Sequence, residues 1–511
     1  MTEQHASAAD LTTLAKGGSL SLAGSAGGAL LVMGLIFVVT VGLGAGEAGA
    51  FFEAIALFNI AVVACTLGSD TGLLRFTARN LALEGSTGLR QLSGVALTPV
   101  VVVSMLVAVL GLSQADQLAR AIGDGAHAAT IATYMRVTSV VLPFGALSLA
   151  FMGATRGFGT MIPTVVGERL VRPLVQLLLV AAAISVAGSG ASLAVSWSLG
   201  IVAAFMIGGV WLVALERRTV STPMDQRPLG EVVREFWAFT LPRALASIFR
   251  VGVLWIDIVL VGALISPRAA AIYTVATRLL QAGFLAVDAI GQAVEPMFSS
   301  LLSSDHNERA HRLFQVASGW LVGLTWPYFL ALWIFAPAVL RIFGAEYVEG
   351  TTVVAILAIS ALVGSGFGPV DVLLVMAGKT TWSFWNSAGA LSLNVVLNVV
   401  LIPEIGLEGA AIAWAASRLT ANILPLIEVR SLLGFHPFGA GWRLAATASL
   451  ATFGLAGLAA RALGGADLPA LVSGLLLAAF GYAVLVWRWR DALDLDAFLA
   501  MLRPAEAESA T

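Results

Sequence analysis

The chain has 511 residues, 59% of them hydrophobic and 11% charged, with a mean hydropathy of +0.92. That composition excludes a soluble globular domain and indicates a polytopic membrane protein. A net charge of -2 offers no basic surface for nucleic acid, and Cys65, the only cysteine, excludes disulfides and thiolate metal sites within one chain.

In chain order, the polar start MTEQHASAADLTTLAKGG reads as a short cytoplasmic tail (1–17), because a cleaved leader would place its small residues after the apolar run. Apolar stretches of about 20 residues or more then predict an all-α protein of about fourteen transmembrane helices. They lie near 18–42, 49–72, 92–112, 129–153, 160–187, 191–215, 236–264, 269–300, 312–337, 350–377, 381–402, 408–430, 440–463 and 467–487. The longest linker, 216–235, divides an N-lobe (18–215) from a C-lobe (236–430). A hairpin (431–490) and a second cytoplasmic tail (491–511) follow. With the N-terminus inside, only Arg120, Arg268, Arg341 and Arg461 lie outside, and most other basic residues outside the spans are cytoplasmic. Both termini are then cytoplasmic. The five histidines, His5, His127, His306, His311 and His436, fall in tails or loops, so no metal or other cofactor is expected.

An internal repeat is visible. VGLGAGEAGAFFEAIALF after the first span resembles VGALISPRAAAIYTVATRL after the seventh, with Glu47 opposite Arg268. At the same offset of about 221, RGFGT (156–160) matches AGKTT (377–381). Parallel repeats of this kind relate two six-helix lobes by an axis along the membrane normal, with a site at their interface. The last two spans have no counterpart and form the appended hairpin.

Charges sit where lipid-facing helices would not carry them. Arg243, Arg250 and Asp257 are seven apart in the seventh span, and Arg278, Gln281, Asp288, Gln292 and Glu295 form a stripe in the eighth. A charge at the bilayer centre costs about 2.5–3.5 kcal/mol, so these stripes face protein or a water-filled cavity. They are either ion pairs that fix helix packing or the lining of a transport route. At about 1.5 Å rise per residue, Arg172 lies roughly 18 Å and Arg250 roughly 21 Å from the cytoplasmic side. Arg278 and Arg418 reach a similar depth from the other side, which suggests one shared cavity. Guanidinium forks at that level suit a phosphate or pyrophosphate. The acids Glu168, Asp257, Asp288, Glu295, Asp70 and Asp371 nearly balance them. Glu168 can simply pair with Arg172, and Asp288 is either a partner of Arg243 or a coupling site for a proton or cation. Arg75 and Arg79 meet substrate at the cytoplasmic entrance, touch anionic lipid, or reflect positive-inside bias. Gly364, Gly366 and Gly368 with Pro369 mark a flexible point in the tenth span. The G-x-G-x-x-G of Gly44, Gly46 and Gly49 follows no strand, and AGKT at 377–380 has Leu373 where a phosphate-binding loop needs glycine.

LAKGGSLSLAGSAGGAL, LGSDTGLLRFTAR and LNVVLNVVLIPEIGLEGAAIAWAAS together resemble the polysaccharide (oligosaccharide) flippases of the multidrug/oligosaccharidyl-lipid/polysaccharide exporter (MOP) superfamily, over roughly residues 14–435. The resemblance implies two lobes in a V, alternating access, and transport rather than catalysis. The implied cargo is a polyprenyl-pyrophosphate-linked oligosaccharide, moved to the outer leaflet of the bacterial inner membrane for cell-surface polysaccharide synthesis. In such proteins basic cavity residues engage pyrophosphate and sugar. The candidates here are Arg172, Arg250, Arg278 and Arg418, with Arg169, Arg243 and Gln281 beside them. Asp288, Asp257 and Glu295 are the candidates for ion coupling. Fourteen spans also resemble the lipid II flippase branch. Membrane lipids and polysaccharide polymerase or assembly proteins are the expected partners of a monomer. The alternatives are an ion-coupled multidrug or organic-cation antiporter, or a non-transporting scaffold.

Overall fold

A computed structural model describes residues 8–83, 88–123, 125–186, 190–219, 228–465 and 468–495, and every regular element in them is helical. Residues 1–7 and 496–511 of the expected tails, and 220–227 of the expected linker, lie outside the described residues. The chain folds as two compact units, one up to Ala271 and one from Ile272.

The first unit contains α1 (Ala8–Leu43), α2 (Ala45–Thr66), α3 (Ser69–Leu83), α4 (Leu89–Ile122) and α5 (Ala128–Gly157). A π-helical segment, Thr164–Val171, runs without a break into α6 (Arg172–Ser185). Then come α7 (Gly190–Thr219), α8 (Leu229–Leu264) and the start of α9 (Pro267–Ser303). Helix α5 is the centre, packed on α2, α3, α4 and α7. Helix α8 packs on α2, α3 and α4, burying Phe236, Ala244, Val261 and Gly262. That packing places α8 in the first unit.

The second unit holds the rest of α9, then α10 (Asn307–Ile334), α11 (Ala336–Arg341), α12 (Thr351–Gly366) and α13 (Val370–Met376). It continues with α14 (Thr380–Ile405), α15 (Leu407–Leu433), α16 (Ala440–Ser449), α17 (Gly457–Gly464) and α18 (Leu468–Arg488). Its core joins Ile290, Val294 and Phe298 of α9 to Phe314 and Leu321 of α10, with Leu373 and Phe435. The terminal helices dock on this unit through polar bonds from amphipathic side chains. Trp442 Nε1 donates to the Gly366 carbonyl (2.8 Å), Tyr482 to that of Gly323 (2.6 Å) and Arg461 to that of Ile334 (2.6 Å).

Thirteen of the described helical stretches are long and apolar enough to cross a membrane. The expected fifth span is a further one. It is shared between the π segment and α6, and neither piece alone has span length. Leu30, Leu106, Leu110, Leu178 and Phe480 are among many exposed apolar side chains, the surface that a hydrocarbon solvent accepts. With no hydrophobic drive between helices in lipid, close packing of small residues and interhelical hydrogen bonds hold the bundle. The glycine-rich end of α1 shows this. A Cβ on Gly24 would meet Val165 Cγ1 at 2.5 Å, and one on Gly28 would meet the Arg169 carbonyl oxygen at 2.5 Å.

Candidate functional site

The second expected span is broken. Leu67 (φ 53°) and Gly68 (φ 71°) take left-handed backbone between α2 and α3. Only glycine fits at 68 on both counts, because a Cβ there would also lie 2.8 Å from the Thr240 carbonyl oxygen and 2.9 Å from the Ala244 nitrogen. The break therefore seats α3 directly on α8, and Gly72 repeats the contact one turn on, against Thr240 and the Phe236 ring.

This seating brings two sequence-predicted arginines to one ring. The Arg75 guanidinium lies 4.1 Å from the centroid of Phe239 and that of Arg243 lies 5.1 Å from it. Both side chains, and Arg250 two turns further along α8, are exposed. None of the three makes an ion pair among the described residues. Arg79, one turn beyond Arg75, is instead neutralised by Glu235. The sequence grouped Arg75 with Arg79. The structure groups it with Arg243.

Arg172 and Arg169 are held differently. Arg172 Nη1 donates to Glu168 Oε2 at 2.9 Å, and Glu168 Oε1 accepts from Ser148 of α5 at 2.6 Å. The arginine thus has a resident counter-ion tied to a neighbouring helix. Arg169, on the π segment, donates to Ser25 of α1 at 2.6 Å. The extra residue per turn of a π-helix lets 168, 169 and 172 reach α5, α1 and each other from one short stretch.

The seven-residue spacing puts Arg243, Arg250 and Asp257 on one face of α8, but their surroundings differ. Asp257 is buried while the two arginines are exposed. The cause is local. Ile258, Val259, Val261 and Gly262 are all buried where α8 closes on α2, whereas no residue from 245 to 256 is buried and Arg243 lies on the exposed side of the turn that seats Thr240 and Ala244 against α3. Sequence reasoning missed Glu53 of α2, which is fully buried against Gly262 of α8. Its signal was a carboxylate inside the apolar run AFFEAIALF.

In the second unit, Arg278 is buried and donates to Gln281 Oε1 at 2.7 Å, one turn along α9. Arg418 of α15 stacks on Phe284 of α9 (4.8 Å) and lies in the fields of Asp288 and Asp371. Of the five polar residues of the α9 stripe, Asp288, Gln292 and Glu295 are exposed, Gln281 is half-buried and Arg278 is buried. Asp371, on α13, accepts from Ser383 at 2.7 Å. The expected weak point in the tenth span is a true break between α12 and α13. There Gly368 (φ 74°) leaves no room for a Cβ, which would fall 1.9 Å from Ser318 Oγ. Arg172 and Arg250 belong to the first unit, and Arg278 and Arg418 to the second. Among the described residues no group of histidine, cysteine or carboxylate side chains could hold a metal.

Residues 14–302, more than half of the chain, match the family model described as polysaccharide biosynthesis protein. The chain belongs to that family. Residues 242–400 of this family member also match the model MatE. A curated relative, the probable low-salt glycan biosynthesis flippase Agl15 of Haloferax volcanii, is 22% identical over 225 residues, 44% of this chain and 48% of Agl15. The match thus spans about half of that relative's length. The fold is that of the lipid II flippase MurJ in an inward closed conformation, with TM-score 0.72 and 12% identity over 91% of this chain and 97% of MurJ. An inward-facing multidrug resistance MATE transporter of the MOP superfamily aligns with TM-score 0.66 and 15% identity, over 80% of this chain and 94% of that one. The named proteins that this member of the polysaccharide biosynthesis family resembles are flippases and transporters.

Proposed function

We propose that this protein is a flippase and carries a polyprenyl-pyrophosphate-linked oligosaccharide from the cytoplasmic to the outer leaflet of a bacterial inner membrane by alternating access, with both termini in the cytoplasm. The observation that carries the reading is the trio Arg75, Arg243 and Arg250. These are three exposed guanidiniums that make no ion pair among the described residues, in a chain that is 59% hydrophobic. Exposed cations inside a membrane protein need an anion, and the planar, always charged guanidinium suits a diphosphate better than any neutral cargo. In the other unit Arg418 adds a half-buried guanidinium beside Asp288 and Asp371, while Arg278 is buried and tied to Gln281. The polysaccharide family match and the glycan flippase relative support the same cargo class. Arg172, already neutralised by Glu168, is the weakest member of the expected set.

The test is reconstitution in proteoliposomes with a fluorescent undecaprenyl-pyrophosphate oligosaccharide. Replacing Arg243 and Arg250 by alanine should lower both flipping and binding. Each charge-assisted hydrogen bond lost is worth about 1.5–3 kcal/mol, or roughly 10- to 150-fold. Unchanged flipping in that variant overturns the reading. A second reading, an ion-coupled antiporter for organic cations, draws on the exposed carboxylates Asp288 and Glu295 and on the MatE match. It predicts that a hydrophobic cation binds and that Asp288→Asn abolishes its transport. Binding of lipid II in preference to other carriers would assign the chain to the substrate named for MurJ.

A further inference from the structure

Outside the charged faces just described, one groove on the first unit has the shape and charge of a lipid site. It lies along the outer side of α7, has a volume of about 590 Å³, and is lined by Phe205, Met206, Gly209, Val210 and Val213, with Arg217 and Arg218 at its end. Met206, Val210 and Val213 recur every three or four residues and are exposed, while α7 turns its other side to α5 and α6. The floor is built. Phe205 packs edge-on against Phe144 (5.1 Å) and on Phe151 (5.4 Å). Gly209 keeps the groove open, since a Cβ there would already be 3.3 Å from Phe151 Cε2.

The apolar part leads into a pair of cations in the last turn of α7. The one acid beside them, Glu216, is turned away and accepts from Ser93 of α4 at 2.7 Å. Neither arginine has an ion pair among the described residues. From Phe205 to Arg218 the helix rises roughly 20 Å. That spans one hydrocarbon leaflet, half of a core about 30 Å thick, and reaches the headgroup level. We propose that this groove is a binding site for one anionic membrane phospholipid, its acyl chain on Phe205–Val213 and its phosphate on Arg217 and Arg218. The groove's lining includes none of the arginines on α3 and α8, and the proposal is independent of the cargo.

The test is native mass spectrometry of the detergent-purified protein, titrated with phosphatidylglycerol or with phosphatidylcholine of the same acyl chains. The wild type should retain one phosphatidylglycerol in preference to phosphatidylcholine. Arg217→Ala with Arg218→Ala should cut that preference about 30-fold, taking each interfacial cation at its usual strength. Lysine at both positions should preserve it, because a point charge suffices for a single phosphate. Val210→Trp, at an exposed position, should block both lipids, while Val195→Trp elsewhere on the exposed side of α7 should not. Equal retention of the two lipids, or an unaltered preference in the double alanine variant, overturns the proposal. So does displacement of phosphatidylglycerol by undecaprenyl phosphate, which would make the groove part of the carrier's route.

Discussion

The Arg75 guanidinium rests 4.1 Å from the centre of the Phe239 ring, so an aromatic side chain of α8 holds a cation of α3. The same ring face-to-charge attraction holds Arg243 at 5.1 Å. Two like charges on one ring repel, and each gains about 0.5–1 kcal/mol from the ring at an exposed site. A bound diphosphate would remove the repulsion. Phe239→Leu should therefore weaken binding of an undecaprenyl-pyrophosphate glycan about 2- to 5-fold, without loss of fold, as read by native mass spectrometry. Phe239→Tyr, which keeps the ring, should retain wild-type binding. Equal losses in both variants would show that the ring's charge attraction is not what matters.

Glu168 and Arg172 make the opposite kind of pair, a half-buried bridge completed by Ser148. Removing one partner leaves a charge without its counter-ion, which costs about 3–5 kcal/mol in a buried setting. Arg172 and Glu168 keep side-chain exposures of 22% and 13%, so the cost belongs at the low end, about 3 kcal/mol. Arg172→Met should lower the thermal midpoint of the detergent-purified protein. Arg172→Met with Glu168→Gln should recover most of the loss. If Arg172→Met instead leaves stability intact and abolishes flipping, the residue belongs with the cargo-binding arginines after all.

Close backbone approach sets a third expectation. A Cβ on Gly49 would fall 1.6 Å from the Pro267 carbonyl oxygen, which joins the two copies of the repeated sequence motif, one at the start of α2 and one at the turn into α9. Backbone cannot yield as a side-chain tip can, so Gly49→Ala should cost about 1–3 kcal/mol and reduce folded yield. Gly94 of α4 has nothing within 4 Å of its would-be Cβ. Gly94→Ala should be neutral or stabilise by up to about 1 kcal/mol through helix propensity. Size-exclusion profiles and thermal midpoints of the two variants separate these outcomes.

Much of this architecture was legible in the residues. Helical spans follow from apolar runs, since the bilayer sets their length, and the stripe of Asp288, Gln292 and Glu295 follows from helical period alone. The π segment that places Arg169 and Arg172 was not legible, because a shift from i+4 to i+5 bonding leaves no compositional mark. Nor was the pairing of Arg75 with Phe239, which depends on how a break at Gly68 seats α3 on a helix more than 150 positions away. The equal spacing of Arg243, Arg250 and Asp257 predicted a face but not its environment. That environment changes along α8 as the helix passes from an open stretch to the packed contact with α2.

His436, in the connection after α15, supplies the pH dependence. Its backbone N–H donates to His311 Nε2 of α10 at 3.1 Å, and the His311 ring stacks on Phe435. Burial first, then the charges of His311 and Arg430, push the His436 imidazole below its ordinary value of 6.5. A histidine whose folded value lies below its unfolded one takes up its proton more readily when unfolded. Its contribution to stability is thus complete above about pH 6.5 and is lost as the pH falls below that, through the lowered folded value. The thermal midpoint of the wild type should therefore fall between about pH 7.5 and pH 5.5, and His436→Gln should flatten that fall. His311→Gln should flatten it in part, by removing one of the charges that lower His436, and loosen the connection leading into α16 by removing the acceptor of the His436 N–H, detectable as faster amide hydrogen exchange around residues 434–439. An equal pH slope in wild type and both variants would place the acid sensitivity elsewhere in the chain.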